Sequence, residues 1–511
     1  MTDTVAPDDP PRVSRADVAS GAALTALARM GALIEIVSQP AYVWLFGLTT
    51  YGLWIVLWAA VNLLATLLAL SMQQALQRVV PAAADEAHAH GAVRFALLIT
   101  VLPCLLVALG ISFAAPWIAP LFSAAPDIRP HLPQIIAIFA WTLPLAVLLD
   151  VATSAARARK AFGPEIRLRI FWEQLVRLVM ALVTFALGAH FLGLFVAHLI
   201  SLALTALLSL RLLGRYFDLG LLWRAPMPRA LRDDTFRAGL ATMPPNLARR
   251  AFNDLPPVLL SLALTGSGGA AAAGLFGIAR KVASVPLIVR QTFLYVLAPL
   301  SSEQHAADPR AVAPLYRFSN RIAAIIVIPL AGYMVATGDI ILKLFSPEAA
   351  AALPVLAILV IGRAGETVLG AATPIVEMTG HRGLPLLNSL AGLALATLIG
   401  WLLVPTHGAS GMAWAVAAGV VLASWAAVVE LWARDGLNPF DTLFVRACAY
   451  GAAAILLFYA VGTLFTPQAY LVRGAVQFCL FWPIVWLGLR LCLDPEDKQA
   501  LGLIGRRLKL G

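Results

Sequence analysis

Apolar stretches of about 20 residues recur along nearly the whole chain, which leaves it few ways to fold. That length lets an α-helix cross a hydrocarbon core of about 30 Å, where backbone N–H and C=O groups find no water and must be satisfied within the segment. About fourteen such stretches can be placed, beginning near Ala22, Leu53, Val93, Pro133, Ile170, Gly193, Ala241, Ala273, Ile322, Leu353, Pro385, Gly411, Arg446 and Val472. Composition agrees: 60% of residues are hydrophobic and 13% charged, against about 25% charged in soluble domains. The chain reads as an all-α integral membrane protein with about 14 transmembrane helices.

The spans are not independent of one another. Leu27-Ala28-Arg29 returns as Leu247-Ala248-Arg249, and Gly52-Leu53-Trp54 as Gly274-Leu275-Phe276. Leu121-Phe122-Ser123 returns as Leu344-Phe345-Ser346, Leu132-Pro133 as Leu353-Pro354, Ala152-Thr153 as Ala372-Thr373, and Gly193 as Gly411. Six landmarks in one order, about 220 positions apart, indicate duplication of a six-span half. An even number of spans per repeat gives both halves the same orientation, so a pseudo-two-fold axis along the membrane normal is expected. The expected organisation is a disordered cytoplasmic tail over 1–20, an N-lobe of six spans over 21–213, and a cytoplasmic linker over 214–240. A C-lobe of six spans over 241–432 and two extra spans over 433–493 follow, then an interfacial helix over 494–511. The two lobes are expected to enclose a central cavity, since transporters with internal repeats bind substrate at the seam.

Charge sets the orientation. The net charge of +10 is not spread evenly. Arg157, Arg159, Lys160, Arg167 and Arg169 follow the fourth span, and Arg215, Arg224, Arg229, Arg232 and Arg237 lie between the sixth and seventh. Arg310 and Arg317 follow the eighth span, and Lys498, Arg506, Arg507 and Lys509 occupy the tail, while the opposite loops hold chiefly Arg129 and Lys343. By the positive-inside rule both termini are cytoplasmic, and the basic pI reports a membrane topology and not a nucleic-acid partner. The first 20 residues lack a basic region followed by an apolar core and cleavage site, so they do not read as a signal peptide. Cys104, Cys448, Cys479 and Cys492 fall inside spans without metal-ligand spacing, implying neither a disulfide framework nor a metal site. In the tail, Asp494-Pro495 with Glu496 and Asp497 is a helix-start signal. Leu501, Ile504 and Leu508 then share one face, as a helix on the inner leaflet would.

Charged residues inside spans carry the functional signal, because each costs at least about 2.5 to 3.5 kcal/mol at the bilayer centre unless it meets water or a partner. Arg250 with Asp254, Glu173 with Arg177, and Arg363 with Glu366 stand three or four apart and can pair on one helix face. Glu173 and Arg177 have the alternative of snorkelling to the cytoplasmic interface. Arg29, Arg249, Arg280, Lys281 and Arg290 have no acidic neighbour at helical spacing. Arg29 and Arg249 are equivalent in the two repeats, roughly 10 Å into their helices, and Arg280 and Lys281 lie a similar distance from the opposite face. Arginine suits a diphosphate because its planar fork donates two hydrogen bonds to phosphate oxygens. We therefore read Arg29, Arg249, Arg280, Lys281, Arg290 and Arg363 as candidate contacts for a phosphate-bearing cargo. Glu35, Asp150, Asp254 and Glu366 are candidates for carrying a coupling proton or sodium ion, and no other cofactor is implied.

Other classes fit poorly. Outer loops of mostly about four to ten residues lack the bulk expected of a membrane glycosyltransferase or polymerase. Gly266-Ser267-Gly268-Gly269 reads as a bare turn between the seventh and eighth spans, without the lysine of a nucleotide-phosphate cradle. The chain does not read as an enzyme.

Three segments carry a family resemblance: YGLWIV at Tyr51 to Val56, ARKVASVPLIVRQTFLYVLAPLSSEQ at Ala279 to Gln304, and LVPTHGASGMAWA at Leu403 to Ala415. They resemble the polysaccharide transporters of the multidrug/oligosaccharidyl-lipid/polysaccharide (MOP) flippase superfamily, which includes Wzx-type O-antigen flippases. The likeness runs to about Trp432, with the last two spans an extension. It implies a monomeric flippase of the bacterial inner membrane that turns undecaprenyl-diphosphate-linked oligosaccharide, such as a polysaccharide or lipopolysaccharide O-antigen repeat unit, to the periplasmic leaflet by alternating access. Implied partners are that lipid-linked oligosaccharide, membrane lipids and polysaccharide assembly proteins. Lipid II flippases for peptidoglycan share the fourteen-span plan, but their Ser-Arg-x-x-Gly-type first-helix motif is not present here. A drug/cation antiporter of the multidrug (MATE) branch would want unpaired carboxylates in its cavity, whereas unpaired basic residues dominate this chain.

Overall fold

The computed structural model describes residues 34–35, 37–161, 166–264, 267–289, 312–378, 383–465 and 469–500. Among these residues the fold is helical, with no strand. In chain order the helices are α1 (Leu48–Leu68), α2 (Met72–Val79), α3 (Glu86–Ile118), α4 (Leu132–Phe139), α5 (Thr142–Ala158), α6 (Glu173–Ala186), α7 (Gly193–Tyr216), α8 (Leu219–Arg224) and α9 (Arg229–Ala263). They continue as α10 (Ser267–Val282), α11 (Ala313–Ala336), α12 (Gly338–Lys343), α13 (Leu353–Val368), α14 (Ala372–Met378), α15 (Leu384–Asp435), α16 (Thr442–Thr463), α17 (Tyr470–Cys492) and α18 (Pro495–Ala500). A π-helical turn, Ile166–Trp172, leads into α6.

Ten helical segments of the described residues are long and apolar enough to cross a membrane. One of them, α15, has 52 residues, roughly 78 Å at 1.5 Å per residue, too long for one crossing. Gly408 breaks it, at φ 52° and ψ −124°, a backbone state open to glycine because it has no Cβ. The eleventh and twelfth expected spans therefore meet at one residue. The described part of the first expected span begins at residue 34. The fifth expected span is the 14-residue α6 behind its π turn, and the seventh is α9, whose charges lower its apolarity.

The linker over 214–240 is expected as a loop, and here the structure differs. Helix α7 runs on to Tyr216, α8 occupies Leu219–Arg224, and α9 begins at Arg229 and enters the seventh span without interruption. Asp218 caps α8, accepting from the Gly220 and Leu221 backbone N–H groups, and Arg94 donates to the Ala225 carbonyl at 2.9 Å. The expected turn at Gly266 to Gly269 is likewise helical at Gly268 and Gly269, which lie in the first turn of α10.

The chain forms two compact units. The first holds the described residues of Met1–Leu45, Leu68–Ser112 and Ala137–Leu240, and the second those of Phe46–Leu67, Phe113–Ile136 and Ala241–Gly511. In the second unit α11, α15, α16 and α17 share a core of Ile322, Ile325, Val428, Leu431, Phe444 and Leu489. Arg321 fastens this bundle at one end by pairing with Asp441, with Asp497 at 2.6 Å and with Asp494 at 3.3 Å. Asp494 also accepts from the Asp497 backbone N–H at 2.7 Å, so the expected helix start at Asp494-Pro495 is present. Residues 501–511, including Leu501, Ile504 and Leu508, lie outside the described residues.

Within the same unit α1 crosses α10 at two glycines. A Cβ on Gly52 would stand 2.0 Å from the Ala270 carbonyl oxygen and 3.0 Å from the Gly274 nitrogen, and a Cβ on Gly274 would meet the Gly52 Cα at 3.2 Å. Only hydrogen atoms permit this approach. Gly52 and Gly274 are the matched landmarks of the two sequence repeats, so equivalent positions pack on each other.

Candidate functional site

Helix α10 begins about six residues earlier than the apolar pattern suggests, placing Arg280 roughly 20 Å along it at 1.5 Å per residue. That depth is nearer the middle of a 30 Å hydrocarbon core than the expected 10 Å. A guanidinium there needs partners. It finds them on α9, donating from Nη1 to the Asn253 carbonyl oxygen and pairing with Asp254 Oδ1 at 3.6 Å. The expectation that Arg280 lacks an acidic partner on its own helix stands, and the counter-charge comes from the neighbour.

Asp254 is shared. Its other oxygen, Oδ2, accepts from Arg250 at 3.4 Å, one helical turn back on α9. From α13, Arg363 Nη1 donates to Glu366 Oε2 at 2.7 Å, and its Nη2 donates to Asn253 Oδ1 at 3.3 Å. Asn253 thus joins Arg280 and Arg363 through its two carbonyl oxygens. Among the described residues, three arginines and two carboxylates on three helices form one connected group with a formal excess of one positive charge. Within it the Asp254 side chain is 7% exposed and that of Arg250 44%, so the network runs from a buried carboxylate to an accessible guanidinium. The sequence signal for Asn253 is a polar amide in a spanning helix, next to Asp254.

The other candidates lie variously. Arg249 is exposed and donates to Asn246 Oδ1 at 2.8 Å. Lys281 is exposed at the end of α10. Arg29 and Arg290 lie outside the described residues. Glu35 is half-buried, its carbonyl accepting from Ser38 at 3.1 Å. In the first unit Asp150 pairs with Arg169 and accepts from Gln73 Nε2 at 2.7 Å, both partners distant in sequence. Glu173 and Arg177 pair one turn apart with side chains 7% and 4% exposed. Burial on that scale excludes the snorkelling alternative.

Sequence reasoning missed two further charged contacts. Arg473 of α17 donates to Asp339 of α12 at 2.6 Å, and Arg321 makes its triple contact. Outside the spans, burial opposes ionisation of Asp441, but hydrogen bonds from Arg321 and the Phe444 N–H outweigh it and hold the carboxyl below its ordinary value. Burial pushes Asp497 up, with Arg321 only partly offsetting it.

Comparison with known families finds a match to the polysaccharide biosynthesis protein family over residues 18–305, more than half of the chain. The chain belongs to that family. No curated protein matches it in sequence. Among solved structures, this family member is similar to the lipid II flippase MurJ in an inward closed conformation, with TM-score 0.71 and 11% identity over 91% of this chain and 99% of that one. It is also similar to an inward-facing multidrug resistance MATE family transporter of the MOP superfamily, with TM-score 0.62 and 14% identity over 85% and 98%. A mutant of the Vibrio cholerae MATE transporter VcmN matches with TM-score 0.57 and 15% identity over 83% and 97%. At these identities the likeness is one of fold. The solved proteins that share this fold are a flippase and transporters.

Proposed function

We propose that the protein is a flippase that carries undecaprenyl-diphosphate-linked oligosaccharide from the cytoplasmic to the periplasmic leaflet of the bacterial inner membrane by alternating access, with both termini cytoplasmic. The observation that carries this reading is the net positive, partly accessible network around Asp254. A diphosphate approaching Arg250, Arg280 and Arg363 gains fork-like hydrogen bonds from guanidinium groups, and the positive excess gives it an unspent cation. Arg249 and Lys281 supply further positive charge nearby in sequence, and Arg29 and Arg290 complete the proposed set. Asp254, held between Arg250 and Arg280, and Glu366, paired with Arg363, are the proposed sites for proton or sodium coupling, with Glu35 and Asp150 as further candidates. The two six-span repeats followed by two extra spans are the proposed architecture behind the movement.

Replacing Arg280 or Arg249 by alanine is expected to abolish surface polysaccharide while the protein remains in the membrane at normal level. Unchanged polymer in both variants would remove these residues from the mechanism. Deletion of the protein, followed by analysis of which lipid-linked glycan accumulates on the inner leaflet, identifies the cargo. A second reading, lipid II transport, is favoured by the fold likeness to MurJ, and accumulation of lipid II in the deletion would select it. Drug or cation antiport is disfavoured because Asp254 and Glu366 are both engaged by arginines, leaving little free negative charge for a cation.

A further inference from the structure

A second concentration of positive charge lies in the first unit, on elements that contribute nothing to the network around Asp254. The π-helical turn Ile166–Trp172 and the end of α7 enclose a hollow of about 330 Å³, in which Arg167, Arg211 and Arg215 stand with Trp172 over Leu168 and Leu212. The three arginines and Trp172 are exposed, while both leucines are buried. Among the described residues no carboxylate lines the hollow. Among the described residues none of the three arginines has an ion pair or hydrogen bond, whereas Arg169 of the same turn is held by Asp150.

The local backbone builds this arrangement. On an α-helix, residues five apart point about 140° away from each other. A π turn, closed by i to i+5 hydrogen bonds, brings such residues back onto one face, and π turns are frequent at functional sites. That is how Arg167 and Trp172 come to share a hollow. On α7 the ordinary spacing suffices, since Arg211 and Arg215 are one turn apart. The C-terminal dipole of α7 favours a cation at Arg215, but it gives no reason for Arg167 to converge on the same space from another element. Three like charges around one hollow repel, and an anion between them relieves the repulsion.

We propose that this hollow binds the phosphate of an anionic phospholipid from the surrounding leaflet. The guanidinium forks take the phosphate oxygens, as Arg groups do with phosphate generally. Trp172 sits at headgroup level, where indole rings are favoured, and the leucines take the first methylenes of the acyl chains. Basic pockets between spanning helices at the cytoplasmic side are a recurrent form of lipid headgroup site.

The test uses the full chain, purified in mild detergent with phosphatidylglycerol or phosphatidylcholine, and counts retained lipid by native mass spectrometry. Wild-type protein is expected to retain phosphatidylglycerol in preference to phosphatidylcholine. Retention should fall roughly tenfold or more in R211Q/R215Q, and should not fall in R224Q/R229Q, which removes equal charge elsewhere in the same unit. If R211Q/R215Q does not purify, Arg167→Gln is read in the same way. Undiminished retention on removal of the pocket arginines, or equal loss in both double variants, overturns the proposal. Thermal stabilisation by inorganic phosphate equal to that by phosphatidylglycerol also overturns it, because the site would then take a soluble anion.

Discussion

The buried Glu173–Arg177 pair and the network around Asp254 handle the same problem, charge in a membrane-spanning fold, in opposite ways. Among the described residues the first is local and balanced: two opposite charges one turn apart, both almost fully buried. The second recruits three helices, carries one more positive than negative group among the described residues, and leaves Arg250 accessible. A balanced buried pair has little net charge to offer a ligand. A network with a surplus cation suits the anion proposed for it. Interior charge is thus most informative where its count does not balance.

The sharpest way to break this contrast is to remove a charge from each. Arg280→Ala is expected to eliminate nearly all surface glycan at normal protein level, whereas Arg177→Leu should act on stability. Leaving Glu173 buried without its partner costs about 3 to 5 kcal/mol, read as loss of membrane-inserted protein by immunoblot. The double variant E173L/R177L should recover much of that protein, since replacing both members of a buried pair by apolar groups is often neutral. Failure of the recovery would mean that the pair does more than neutralise itself. A smaller effect comes from Gly52→Leu, which forces apart α1 and the helix carrying Arg280. Overpacking of this kind costs about 1 to 3 kcal/mol, and a lowered Tm of the purified protein with reduced transport is the expected pattern.

The smallest effect concerns the cluster on Arg321, which is charged like the Asp254 network but has excess acid. Asp441 titrates below the ordinary carboxylate value in the folded protein. Its contribution to stability is therefore present above about pH 4, the unfolded value, and is lost as pH falls through the folded one. Asp497 shifts upward and acts with the opposite sign, its contribution fading as pH rises. Asp441→Asn is expected to reduce the loss of stability on acidification below about pH 4, seen in melts of the solubilised protein. An unchanged acid limb would dissociate Asp441 from the clamp.

Much of this was legible in the sequence because it is local. Apolar runs of bilayer length mark spanning helices, whose backbone bonds close within the segment, and the family match over residues 18–305 agrees with the likeness carried by the segments at Tyr51 and Ala279. The pairs Arg250–Asp254, Glu173–Arg177 and Arg363–Glu366 follow from helical pitch alone, and each forms. The linker was misjudged because Arg, Asp and Pro signal polarity, and polarity distinguishes water from lipid without distinguishing helix from loop.

What the tertiary structure decided is everything set by the rotation and depth of one helix against another. The meeting of Arg280 with Asp254, and Asn253 as the joint to Arg363, depend on how α9, α10 and α13 are turned. The contact of Gly52 with α10 depends on where two helices cross. The hollow at Arg167 depends on one π turn. Sequence fixes the order of side chains along each helix through covalent spacing, but their neighbours across helices are chosen by packing, and packing is a property of the assembled bundle.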